Sequence, residues 1–209
     1  MKTSKYPLQR WNIVGWTALI IAFIFLGILI FHGINEQSMR IAIRLTARTS
    51  CLLFVCAFIA SPLRYFWSNN LTKWLRGNRR YLGVAMAVSH GFHAIAIIGL
   101  AILITDPSLS NNHGGNLGYL FIIAMTATSF QSTAALLGHR NWKILHTVGM
   151  YYLWLAFIYS FSHGLEKSLV IYLPFVSLLA IAILLRSIVP LSKFFAFTLV
   201  RKDKLSKKG

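Results

Sequence analysis

Four of the seven histidines in this 209-residue chain sit in strongly apolar sequence. His90 and His93 lie three residues apart within one apolar run, and His146 and His163 open and close another. An imidazole in hydrocarbon is costly, so it is expected inside a bundle with a task. A packing role is one option, since a histidine can hydrogen-bond a neighbouring helix. Ligation is the other. Tetrahedral zinc needs three or four converging ligands, whereas haem iron needs two axial ligands from opposite sides, and the macrocycle fills the space between helices. Two histidine-bearing spans therefore suit haem better than zinc.

Those histidines must be held by membrane helices. The chain is 56% hydrophobic and 12% charged, about half the charge of a soluble domain. Six apolar spans can be drawn, at roughly 11–32, 45–63, 80–104, 117–137, 143–163 and 168–189. The expected fold is all-α, an integral membrane six-helix bundle forming a single domain over residues 1–209. The net charge of +17 does not indicate nucleic acid. Lys2, Lys5 and Arg10 precede the first span, and Arg64, Lys73, Arg76, Arg79 and Arg80 fall between the second and third. Arg140 and Lys143 fall between the fourth and fifth, and Arg201, Lys202, Lys204, Lys207 and Lys208 form the tail. Residues 105–116 have no Lys or Arg, and residues 164–167 have one Lys. By the positive-inside rule both termini are expected in the cytoplasm, and the basic loops can also attract anionic lipid headgroups. Only residues 33–44, with Arg40 and Arg44, run against this trend.

The spans that carry His93 and His146 both run outward. His93 stands 13 residues beyond Arg80, about 20 Å along a helix, whereas His146 is near the inner surface. One site per leaflet is the natural reading. His32, His113 and His139 lie in or beside loops and read as solvated or interfacial residues. Cys51 and Cys56 fall on different sides of one span and read as small packing residues. Ser129, Gln131, Ser132 and Thr133 cluster near the inner end of the fourth span, where hydroxyls can bridge helices or touch a headgroup, quinone or flavin. Trp67, Trp74 and Trp142 match an aromatic belt. No cleavable signal peptide is evident, and no loop is long enough for a nucleotide-binding fold. An electron donor would therefore be a diffusible reductant or another protein.

Several short motifs occur in order: Thr46-Ala47-Arg48-Thr49, Ser61-Pro62-Leu63-Arg64, Arg79-Arg80-Tyr81-Leu82-Gly83 with His93, and Trp142-Lys143-Ile144-Leu145-His146. Over residues 40–190 the chain resembles the ferric-reductase-like transmembrane domain superfamily, nearest its YedZ/MsrQ branch of bacterial haem-binding membrane subunits. The resemblance implies haem b, one or two per chain, with His93 and His146 as iron ligands and FMN or a quinone as further cofactor candidates. More distant members place a second histidine 14 residues before the first; here that position is Arg79, which reads as a haem-propionate contact or a positive-inside anchor. The branch places a second histidine 13 residues after the one matching His146, and here that residue is Tyr159. His163, one turn further out, is preferred over Tyr159 as the outer partner of His93, and His90 is the reserve candidate.

The function expected from this resemblance is electron transfer across a bacterial inner membrane. Electrons would come from a quinone or a cytoplasmic flavin reductase and pass to a periplasmic molybdenum-containing methionine sulfoxide reductase. The chain itself would be an oxidoreductase component without catalytic residues of its own. Two alternatives stay open: a ferric or cupric metalloreductase module using Asp106 and His113, and a haem-free proton-coupled transporter using the buried histidines. The absence of an intramembrane carboxylate weakens the transporter.

Overall fold

A computed structural model describes residues 8–104 and 113–206, with side chains described to residue 188 apart from His113. Lys2, Lys5, Asp106, Lys207 and Lys208 lie outside the described residues, as do the side chains of His113, Arg201, Lys202 and Lys204. The described chain is all-helical: α1 Trp11–His32, α2 Glu36–Phe66, α3 Asn70–Ile104, α4 His113–Ala127, α5 Gln131–Leu137, α6 His139–Gly164 and α7 Leu169–Ser206. Five helices are long and apolar enough to cross a membrane, and a sixth crossing exists only if α4 and α5 count as one.

Among the boundaries that differ from the sequence expectation, two move because capping groups lie beyond the apolar runs. Residues 36–44, expected in a loop, are the first turns of α2. Asn35 Oδ1 accepts from the Ser38 amide at 2.9 Å, and Asn35 Nδ2 donates to the His32 carbonyl. One side chain thereby caps α2 and ties it to the end of α1. Glu36 then favours the positive end of the helix dipole and pairs with Arg40 at 2.7 Å. Asn69 likewise accepts from the Thr72 amide at 2.9 Å, which starts α3 ten residues before the expected apolar span. The expected loop at 64–79 is therefore mostly helix. α7 also continues past residue 189, to Ser206.

The fourth span differs most. It breaks after Ala127 and turns by 109° into the short α5. Thr128 Oγ1 donates to the Ala124 carbonyl at 2.8 Å, and Ser129 Oγ to the Met125 carbonyl at 2.7 Å. Thr133 Oγ1 donates back to the Ala127 carbonyl. Hydroxyls that offer the backbone alternative partners weaken the regular ladder where this sequence concentrates them.

Helix α2 packs along α3, α3 meets α4, α4 packs on α6, α6 on α7, and α7 returns to α2. This closes a ring of five helices, with α1 against the outside of α2 and α3. The ring is filled by Phe54, Phe58, Met86, Met125, Phe157, Phe161 and Leu179. Cys51 is among these core residues and Cys56 is half-buried, both as free thiols. The outward faces are apolar as well, with Phe23, Ile30 and Val170 largely exposed. Ser38, Thr46, Ser50 and Ser89 are fully buried. Apolar outside with hydroxyls inside is the pattern of helices solvated by lipid.

Candidate functional site

His93 projects from α3 toward α2. Its Nδ1 lies 3.1 Å from Thr46 Oγ1 and 3.1 Å from the Ile43 carbonyl. The Thr46 hydroxyl has one proton, and it donates that proton to the Ala42 carbonyl at 2.7 Å. Nδ1 must then be the donor, which leaves the Nε2 lone pair without a protein partner. This is the arrangement in which a histidine is oriented to ligate a metal through Nε2.

The scaffold behind His93 is a polar chain through an otherwise apolar seam. Ser89, one turn earlier on α3, donates to the Thr46 carbonyl at 3.3 Å, and Ser50 donates to Ser89 at 2.9 Å. These contacts fix the rotation of α3 against α2, and with it the direction of His93.

His90 packs beside His93, with ring centroids 4.8 Å apart. It also lies 5.0 Å from the Tyr119 ring of α4 and meets Phe157 of α6 edge-on at 6.0 Å. His90 Nδ1 and Tyr119 Oη are both buried without a hydrogen-bond partner. Each orphaned buried polar atom costs about 1–3 kcal/mol unless something else satisfies it. Two such atoms beside an imidazole with a free Nε2 fit a group that brings its own polar atoms into the ring of helices.

His146 sits near the start of α6, held differently. Its Nε2 lies 3.0 Å from Thr128 Oγ1, at the break between α4 and α5. That hydroxyl donates to Ala124, so Nε2 is the protonated nitrogen and Nδ1 carries the lone pair. Trp142 stacks on the imidazole at 4.5 Å and donates its indole N–H to the Thr128 carbonyl at 3.0 Å. Arg79, on α3, is close enough to His146 to act on it electrostatically. Its Nη1 reaches Ser61 Oγ on α2 at 3.3 Å.

The rings of His163 and Tyr159 meet at a tilt, with centroids 4.5 Å apart, on the exposed side of α6. His163 Nδ1 lies 3.2 Å from the Tyr159 carbonyl of its own helix. At the level of His90 the residue that α6 turns inward is Phe157, and residues two and six positions later fall on other faces. The structure therefore brings His90 to His93, and Arg79 toward His146, but brings neither His163 nor Tyr159 to His93.

For a haem, the fit is close on one side. His93 has the required free Nε2 and a polar anchor on Nδ1, and His90 and Tyr119 supply unsatisfied polar atoms next to it. A second axial imidazole is not brought opposite His93 among the described residues. His146 would ligate through Nδ1, or through Nε2 once that atom parts from Thr128.

Several site residues carried no signal in the sequence reading. Tyr119 and Phe157 look like ordinary span residues. Thr128, and Thr46 despite its place in a quoted motif, acquire these roles only because other helices present histidines to them. Arg186 had one readable mark: an arginine inside an apolar run. It donates to the Phe58 carbonyl at 3.0 Å. That carbonyl is free because the residue four positions later is Pro62, which has no N–H to offer it. No protein-family model, curated protein or solved structure matches this chain.

Proposed function

We propose that the chain is a haem b electron-transfer subunit of a bacterial inner membrane. It would form a six-span bundle with both termini in the cytoplasm and pass electrons outward to a periplasmic reductase. The observation that carries this reading is His93. Its Nδ1 is held by α2, its Nε2 is free, and it stands next to the unsatisfied His90 and Tyr119 in the apolar ring. The motif order that resembles the YedZ/MsrQ branch supports it independently, and suggests a methionine sulfoxide reductase as acceptor.

When bound, haem would supply one-electron chemistry between a quinone or flavin donor and the acceptor. His93 would hold the iron of the outer site. The Ile43 carbonyl and Thr46 keep its ring oriented and increase its basicity. His146 would hold the inner site, with Trp142 fixing its ring plane. Phe54, Phe58 and Phe157 keep water from the interior and lower the local dielectric, which raises the energy of any charge not matched by a partner.

The test is the dithionite-reduced minus oxidised spectrum of the purified protein, with haem quantified per chain, alongside His93→Ala and His146→Ala. A b-type spectrum that falls by about half or more in His93→Ala supports the reading. No haem in folded wild-type protein supplied with excess haem overturns it, as does full haem content in both variants. Proton flux in such haem-free protein would establish the transporter instead.

A further inference from the structure

Two arginines meet at the proline in α2. Arg79, from α3, reaches Ser61, and Arg186, from α7, reaches the Phe58 carbonyl that Pro62 leaves free. Phe58 and Ser61 are three residues apart on α2, so the two guanidinium groups are brought to one turn of that helix. Both guanidinium groups belong to half-buried residues, and Arg186 lies against two aromatic faces, 4.3 Å from the Phe58 ring centroid and 5.1 Å from that of Tyr151.

No described carboxylate balances this pair. The chain has four acidic residues. Glu36 is bound to Arg40 at the far end of α2, and Glu166 sits between α6 and α7, a whole helix away from His146. Asp106 and the side chain of Asp203 lie outside the described residues. Two like charges, partly removed from water with no opposite charge, are unfavourable unless an anion joins them. A guanidinium has five N–H donors, and each of these has one hydrogen bond to the protein. The remaining donors form two forks, the geometry that grips the several oxygens of a phosphate.

Depth indicates the source of the phosphate. Arg186 stands 17 residues into α7, about 26 Å along the helix from Leu169, and Arg79 lies about one turn beyond Trp74. Both therefore fall where hydrocarbon gives way to headgroups. Beside them α7 exposes Ile181, Leu184 and Ile188, an outward apolar strip on which acyl chains can lie.

We propose that Arg79 and Arg186 clamp the phosphate of an anionic phospholipid at the Pro62 break of α2. This site does not depend on haem. The test uses full-length protein in detergent, with and without bound haem, titrated with phosphatidylglycerol, phosphatidylcholine or inorganic phosphate. Binding is read by native mass spectrometry and by the shift in melting temperature. Phosphatidylglycerol is expected to bind and stabilise most strongly. Arg79→Gln and Arg186→Gln should each weaken it about tenfold or more, the scale of a lost charge-assisted hydrogen bond. Arg186→Gln keeps a donor for the Phe58 carbonyl, so the fold is not lost with the charge. Arg140→Gln, an exposed basic residue at the same end, should change little.

Equal binding by wild type and both Gln variants overturns the proposal. So does inorganic phosphate matching phosphatidylglycerol, which would make this a site for a soluble anion. Loss of haem without loss of lipid from Arg186→Gln also overturns it, and would assign the arginines to the haem carboxylates. If the protein proves haem-free, the lipid titration still decides the proposal.

Discussion

His93 and His146 are both imidazoles in apolar helices, yet opposite nitrogens are tied down. His93 is anchored through Nδ1 by a seam of two long helices, with the Ile43 carbonyl and Thr46 as twin acceptors. His146 is anchored through Nε2 by one hydroxyl, Thr128, at a helix break. On the proposed haem reading, the first would ligate through Nε2 as it stands, whereas the second would have to exchange a hydrogen bond to do so. Burial alone does not prepare a histidine as a ligand; what matters is which nitrogen its neighbour occupies.

The comparison is most sharply broken by damage to one anchor only. Ser89→Leu overfills the seam and removes the partner of Ser50. It is expected to lower stability by about 3 kcal/mol, measured by thermal unfolding in detergent. Haem held by His93 should fall with it, while His146 keeps its surroundings. A melting temperature equal to wild type would mean that the seam does not fix α3.

Thr46→Val should weaken haem retention at His93 about tenfold, since a lost outer partner commonly has that effect. The readout is haem transfer to an apo-protein acceptor. Thr128→Val should act in the opposite direction. By releasing Nε2 it should strengthen retention at His146 about two- to tenfold, the scale of one net hydrogen bond. Two losses of equal size would refute the contrast between the anchors. The smallest effect is expected from Trp142→Phe. It keeps a ring against His146 but loses the indole bond to the Thr128 carbonyl, costing about 0.6 kcal/mol in unfolding experiments. A larger loss would make Trp142, rather than Thr128, the main support of His146.

Much of the scaffold was legible in the residues. The 22-residue α1 matches its apolar run at 11–32, and the core of every other span except the fourth falls on unbroken helix. Hydrophobic periodicity reports where a helix meets lipid, but it does not report how far polar turns extend the helix. The caps Asn35 and Asn69 therefore moved two boundaries into regions that look like loops. The hydroxyl cluster near residue 130 was visible, but its 109° turn was not, because the competition between hydroxyls and backbone is resolved only in context. His90, His93 and His146 stood out as costly residues. His163 stood out equally, yet it faces outward beside Tyr159.

The sequence by itself determined a helical chain for a lipid environment, the residues whose burial is costly, and the basic character of the segments around Arg79 and His146. These follow from solvation and charge, properties that each residue carries in any fold. Tertiary structure decided which nitrogen of each histidine is free, which hydroxyl supports it, and which carbonyl Pro62 makes available to Arg186. Those depend on directions between helices distant in sequence, where a rotation of one residue (about 100°) turns a side chain from the ring interior to lipid.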